Sequence, residues 1–356
     1  MAASTTAHPH LHLPALSREK LAHGWPHRVA AGLMVLIGAA FVAVTLAANL
    51  FNVGPAFDRL TDDFRPMMTE KSLQAAQQDI SGLSAASTEI QTSMMPTLAQ
   101  QLGVTPEQFA ASTAEKYPAV AAGLAALPQI TPSFSSLVTT LDEQRPYFKA
   151  ADEIPTASVP ATSVPWSLLA VGLVSVGLGV WIWFRPRGSA VAVTVAGAAL
   201  IAIPLILSMP HKASYADTLN DNLEPVYTQQ LITQANSSLA TLGAMGVEMQ
   251  QKMLPDLAAQ LGMTPAELNT FLGENFPATR AALAGMPESM GRFQNMVSAF
   301  DDRLGDYQTL QPVTFVPIVW FMIGGGIALF LLGGVGVAIT ARTSERRQAP
   351  AHAGIG

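Results

Sequence analysis

The segments QLGVTPEQF, residues 101–109, and QLGMTPAEL, residues 260–268, have nearly the same sequence and lie 159 positions apart. In each segment a glycine suited to the left-handed end of a helix is followed by Thr-Pro, an N-cap with proline in the first helical turn. Gln108 and Glu267 stand three residues after the threonine, at the capping-box position. Both segments are therefore predicted to end one helix and begin the next.

The repeat extends far beyond this phrase. At the same offset, 28 of the 83 positions in 60–142 are identical to their counterparts without a gap. An apolar stretch precedes each copy at this same offset. Another apolar stretch follows each copy, and Trp166 and Trp320 in these following stretches lie 154 positions apart. The chain is predicted to be an internal duplication, in which each copy consists of a membrane span, a helical domain and a second span. The copies then have parallel topology and a pseudo-twofold axis along the membrane normal.

Composition favours a membrane protein, because 49% of the residues are hydrophobic and only 12% are charged. Four stretches contain no Asp, Glu, Lys or Arg, namely 29–50, 166–184, 189–209 and 314–341. At about 1.5 Å per residue, each can cross a hydrocarbon core of about 30 Å as a helix. The first stretch is interpreted as a retained anchor because its polar lead is long for a signal peptide.

Basic residues predict the orientation, because Lys and Arg beside a span resist translocation. They outnumber acidic residues in a disordered leader (1–28), a link (185–188) and a tail (342–356), which are all predicted to be cytoplasmic. Segments 51–165 and 210–313 are then extracytoplasmic helical domains A and B. The predicted fold class is an all-α integral membrane protein of the cell membrane, with four transmembrane helices and two duplicated extracytoplasmic domains.

Domains A and B carry more acidic than basic residues, which excludes nucleic acid as a partner. Cysteine is absent, so no disulfide can stabilise them. Within each domain the prolines predict helix ends. One helix is expected to end before Pro118 or Pro277, and the next before Pro128 or Pro287.

Methionines recur at helical spacing in the second copy. Thioethers can bind a cuprous ion, but they also suit an adaptable apolar core or groove. Apolar packing in a core or groove is favoured over a metal site because the chain has no cysteine and the domains offer little histidine. The predicted groove residues are Met94, Met245, Met249, Met253, Met286 and Met290.

Catalytic and cofactor motifs are absent from the sequence, so we expect no enzyme activity, no cofactor and no metal. The four apolar stretches hold no ionisable group, which argues against ion-coupled transport. They do hold small residues at packing intervals. The predicted packing positions are Ala39, Ala43, Gly179, Gly324 and Gly334.

Three functional hypotheses follow. The first is a non-enzymatic scaffold or accessory subunit of a bacterial cell envelope, whose partners are other envelope membrane proteins or a second copy. The alternative is a protein that binds or conveys lipid or hydrophobic molecules at the outer leaflet. A receptor without its own output domain is the third.

Overall fold

The structure is a computed structural model that describes residues 25–156, 159–184 and 189–348. Helices joined by short turns make up these ranges, and no β-strand occurs within them. The prediction of an all-α chain is confirmed. The predicted link 185–188 and most of the predicted leader and tail lie outside the described residues.

Helices of the first copy follow one another with few loop residues. In chain order they are α1 (Trp25–Ala47), α2 (Leu50–Phe64), α3 (Glu70–Glu89), the π-helical turn π1 (Ile90–Met94), α4 (Met95–Gln101), α5 (Pro106–Lys116), α6 (Pro118–Asp152) and α7 (Ser163–Phe184).

The second copy repeats this order. Its elements are α8 (Ser189–Ile206), α9 (Met209–Leu223), α10 (Gln229–Glu248), π2 (Met249–Met253), α11 (Leu254–Gln260), α12 (Pro265–Asn275), α13 (Pro277–Asp302), α14 (Leu304–Leu310) and α15 (Phe315–Gln348). From α2 to α5, every element recurs with the same bounds 159 residues later. The copies differ where α6 is continuous and its counterpart divides at Arg303 into α13 and α14. Two residues 159 positions apart are called equivalent below.

The predicted helix connectors are confirmed. Gly103 and Gly262 adopt left-handed φ values of 69° and 67°. Thr105 and Thr264 each form a complete capping box. In the first, the N–H of Gln108 donates to Thr105 Oγ1 at 3.2 Å, and the Gln108 side chain accepts from the Thr105 N–H at 3.0 Å.

The prediction that helices end before Pro128 and Pro287 is wrong, because both prolines lie inside α6 and α13. Each proline removes one backbone hydrogen bond. The helix nevertheless continues, because its apolar face is packed on both sides of the proline. In α6, Leu127, Ile130 and Phe134 are all buried. Tertiary packing therefore overrides the local helix-breaking preference.

Prolines also account for the two π-turns. Pro96 and Pro255 follow π1 and π2 within two residues. The N–H just before each proline bonds five residues back rather than four, from Met95 to the Ile90 carbonyl in the first copy. A widened turn relieves the clash between a proline ring and the carbonyl four residues earlier.

The described helices belong to two compact units. The span unit comprises Met1–Ala48, Pro165–Ile206 and Trp320–Gly356, and the helical unit comprises Asn49–Val164 and Leu207–Val319.

Several helices are long and apolar enough to cross a membrane. Among the described residues these are Arg28–Ala47, Ser163–Phe184 and Phe315–Ala338. A further candidate is interrupted, since Ala190–Ile206 is followed after a bend by Met209–Leu223. The described chain thus offers three spans, or four if the interrupted pair crosses as one.

Glycines join the helices of the span unit in two matching pairs. A Cβ added to Gly38 would lie 2.6 Å from the carbonyl oxygen of Gly172, so α1 and α7 touch through their backbones. A Cβ at Gly197 would lie 2.7 Å from the carbonyl oxygen of Gly326, which joins α8 to α15. Close backbone contact of this kind is how helices associate in lipid. The two copies therefore pair their apolar helices in the same way.

The two copies interlock within the helical unit. The first helix of each copy packs against the last part of the other copy, α2 on α14 and α9 on α6. Residues 51–165 and 210–313 are predicted to form two domains, whereas the structure places nearly all of both in one compact unit. Equivalent polar pairs connect the copies: Arg303 binds Asp63, and Asn222 donates to Gln144 at 2.9 Å.

Candidate functional site

Four long helices, α3, α6, α10 and α13, surround the centre of the helical unit. α3 and α10 are equivalent, and α13 corresponds to the first part of α6. Both α3 and α10 pack against both α6 and α13. Each copy thus contributes two helices to a shared core.

Two glutamates cap these helices crosswise. Glu89, at the end of α3, accepts hydrogen bonds from N–H groups in the first turn of α13, the shorter one from Thr279 at 2.7 Å. Glu248, its equivalent in α10, accepts from the first turn of α6, the shorter bond coming from Ala119 at 2.7 Å. A carboxylate is favoured there because the first N–H groups of a helix lack partners and carry partial positive charge. Each copy therefore caps a helix of the other.

At the Glu248 cap, hydrogen bonds favour the ionised carboxylate. Burial of Glu248 opposes its ionisation, but hydrogen bonds from Lys252 and from the N–H groups of α6 outweigh burial and lower the pKa of Glu248. Near the start of α6, burial and a 2.7 Å hydrogen bond to Asp256 raise the pKa of Tyr117 to about 12. That phenol therefore stays protonated as a donor between the copies.

An apolar cavity of about 250 Å³ lies among the four helices. Its apolar wall consists of Ile80, Leu83, Ile130, Phe134, Leu239, Leu242, Met286, Met290 and Phe293. Phe134 and Phe293 are equivalent, and their rings meet edge to face with centroids 5.1 Å apart. The cavity therefore lies where the two copies meet.

Two of the predicted groove methionines, Met286 and Met290, line this cavity and are half-buried. They extend from α13 toward α10, where Gly243 and Gly246 leave room for them. The other four are packed in the core at 2–3% exposure, namely Met94, Met245, Met249 and Met253. The structure thus brings only part of the predicted methionine set to an accessible surface.

Glycines keep one side of the cavity open. Gly82 of α3 and Gly285 of α13 both line it, and a Cβ added at either would meet no atom within 4 Å. Their equivalents are Thr241 and Ala126, which carry side chains. Gly82 and Gly285 could not be predicted as cavity residues, because nothing in a single sequence distinguishes them from other helical glycines.

An ion pair lies beside the cavity. Asp79, which lines it, accepts two hydrogen bonds from Arg292 at 2.7 and 2.8 Å, and Arg292 also binds Glu288. The hydrogen bond to Asp79 raises the pKa of Arg292. The charge on the cavity wall is therefore already compensated by protein.

A groove of about 410 Å³ lies between α6 and α10. It is lined by Pro132, Ser133, Phe134, Ser136, Leu137, Leu231, Gln234, Ala235 and Ser238. Ser238 and Ser133 are equivalent to Asp79 and Arg292, so uncharged side chains replace the ion pair here. Phe134 lines both the groove and the cavity.

The predicted packing residues of the spans occupy different surroundings. Gly179 packs against α1, where an added Cβ would lie 2.8 Å from Val35. Ala39, Ala43 and Gly324 are exposed, and Gly334 is half-buried beside open space. Contact between these residues and a partner stays a prediction.

Within the described ranges, no three His, Asp or Glu side chains form a group suited to a metal ion. The cavity has a largely apolar wall, and the charge on that wall, Asp79, is compensated by Arg292. No protein-family model matches the chain, and no curated protein matches it in sequence.

Proposed function

We propose that the protein is a non-enzymatic, membrane-anchored binder of an uncharged apolar molecule, held in the cavity between its two copies. The supporting observation is the cavity itself, which has an apolar wall with a few polar groups at its edge. Ligand sites usually measure about 300–1,000 Å³ and have such walls. At about 250 Å³ the cavity lies just below this range, so it fits a small molecule or a single chain rather than a two-chain lipid.

The energetics of such a site favour an uncharged ligand. Each buried methylene contributes about 0.8 kcal/mol to binding. An ionised group would lose its hydration without gaining a partner, because Arg292 already compensates Asp79. Charged amphiphiles should therefore bind less well than alcohols of the same length.

Aromatic residues support the membrane anchor. Trp166 and Trp183, near the two ends of α7, are exposed and lie 17 positions apart. This separation corresponds to about 25 Å along a helix, close to the spacing of the two aromatic belts of a bilayer. Combined with the basic leader, link and tail, it supports four spans with the duplicated helical unit on the extracytoplasmic side.

A scaffold or accessory subunit is the second candidate. It is favoured by the small residues Ala39, Ala43 and Gly324, which are exposed on the span unit. A second copy or another envelope membrane protein could pack closely there.

A cavity-filling variant tests the binding proposal in the full-length protein in nanodiscs. With 1-octanol at about 100 times its Kd, binding should stabilise the protein by about 2.7 kcal/mol and raise its thermal midpoint by about 5–10 °C. Gly285→Leu should abolish this shift, because the added side chain occupies open cavity space. Gly291→Leu is the matched control, since Gly291 lies in the same helix, also has open space, and does not line the cavity.

The proposal fails if 1-octanol leaves the wild-type midpoint unchanged. It also fails if Gly285→Leu and Gly291→Leu respond to 1-octanol alike.

A further inference from the structure

Phe134 stands between the cavity and the groove, and we infer that its ring sets the length of apolar chain that the cavity accepts. This inference rests on the proposed binding function and names both a ligand class and a specificity-determining residue. The ligand class is an unbranched chain with an uncharged polar end.

The first observation is that one residue lines both the cavity and the groove. Of the residues that line the cavity of about 250 Å³ and the groove of about 410 Å³, Phe134 alone belongs to both. Its side chain is almost fully buried, at 7% exposure. Phe134 therefore lies between the cavity and the groove and contributes to the wall of both.

Comparison between the copies is the second observation. Phe293 is equivalent to Phe134, is similarly buried at 8% exposure and packs against it, and it lines the cavity but not the groove. The groove lies between α6 and α10, next to Phe134. At the equivalent interface between α13 and α3, next to Phe293, the ion pair of Asp79 and Arg292 is found instead. Phe134 therefore lines both described spaces, whereas Phe293 lines the cavity and not the groove.

Groove chemistry supports an uncharged chain. Polar groups in its wall are the hydroxyls of Ser133, Ser136 and Ser238 and the amide of Gln234. These can hydrogen-bond an alcohol or ester end but cannot neutralise an ion. Leu137, with the other apolar wall residues, provides the surface along which a longer chain would continue.

Truncation of the ring gives the test, with Phe134→Ala and Phe293→Ala as a matched pair. Full-length protein in nanodiscs is labelled with a diazirine analogue of 1-octanol, and straight-chain alcohols from 1-hexanol to 1-hexadecanol compete for the label. Equal nanodisc concentrations make partition into the bilayer the same for every variant. Empty nanodiscs give the background.

In the wild type, affinity should rise about fourfold per methylene and stop rising at a limiting chain length. Phe134→Ala should extend this limit by several methylenes, because the cavity then joins the groove. Phe293→Ala removes the same ring but enlarges only the cavity, so its limit should move less. Ala235→Leu added to Phe134→Ala refills the groove and should return the limit toward that of the wild type.

Equal limits in Phe134→Ala and Phe293→Ala overturn the inference while leaving the proposed function intact. Absence of competition by any alcohol in the wild type rejects the proposed function itself. If the alanine variants do not fold, Phe134→Leu and Phe293→Leu give the same contrast with a smaller truncation.

Discussion

Removing the crossed cap at Glu89 tests how the two copies are joined. Its carboxylate accepts a 2.7 Å hydrogen bond from the Thr279 N–H at the start of α13. Loss of a capping side chain costs about 1 kcal/mol, and loss of the negative charge at a helix N-terminus costs up to about 1 kcal/mol more. Glu89→Ala should therefore destabilise the helical unit by about 2 kcal/mol. Glu89→Gln keeps an acceptor and should cost about half as much.

Thermal unfolding of the full-length protein in nanodiscs gives the magnitude. About 2 kcal/mol corresponds to a midpoint lowered by about 4–8 °C for a unit of this size. Hydrogen exchange gives the location: amides in 278–284, which belong to the other copy, should exchange faster. Glu115→Gln, on the exposed face of α5, is the control and should leave both readouts unchanged. Faster exchange confined to the first copy, or a midpoint within about 1 °C of the wild type, would refute the crossed arrangement.

Three further predictions address charge, span packing and orientation. Because the pKa of Glu248 is lowered in the folded protein, its ionisation stabilises the fold above the ordinary value of 4.5 and this stability is lost as pH falls through the lowered value. The thermal midpoint of Glu248→Gln should therefore drop less steeply from pH 5 to about pH 3 than that of the wild type, and parallel curves would contradict this role. Gly38→Leu should reduce the yield of folded protein on size exclusion, because its Cβ would lie 2.6 Å from the backbone of α7, whereas Gly324→Leu has open space; equal yields would argue against the glycine contact. Since the chain has no cysteine, Ala114→Cys should react with an impermeant maleimide in intact cells and Ser344→Cys only after lysis, and the reverse pattern would invert the proposed topology.

Local features of the fold could be predicted from the sequence because their causes are local. The capping boxes at Thr105 and Thr264 need only a threonine, a proline and an acceptor three residues on. Long uncharged stretches likewise identify the apolar helices. Helix continuity through Pro128 could not be predicted, because it depends on buried neighbours contributed by other helices.

Contacts between the copies were harder to predict. Apolar periodicity shows that Phe134 and Phe293 face a core, but it does not show that they face each other. The repeat places identical acids at Glu89 and Glu248, but it also does so at Asp62/Asp221, Glu115/Glu274 and Asp142/Asp301, so the sequence does not single out the two caps. The spans contain many small residues, and their spacing along one helix does not show which of them touch another helix. The contact between Gly38 and Gly172 depends on how α1 and α7 pack together.

The sites where the diazirine analogue of 1-octanol attaches show directly whether an apolar molecule binds in the cavity between the two copies. After labelling of the full-length protein in nanodiscs, peptides are identified by mass spectrometry with and without excess 1-octanol. Binding in the cavity predicts adducts in 281–293 and 130–134. Excess 1-octanol should displace these adducts, and Gly285→Leu should remove them. Adducts confined to the spans, or cavity adducts that neither 1-octanol nor Gly285→Leu diminishes, would contradict it.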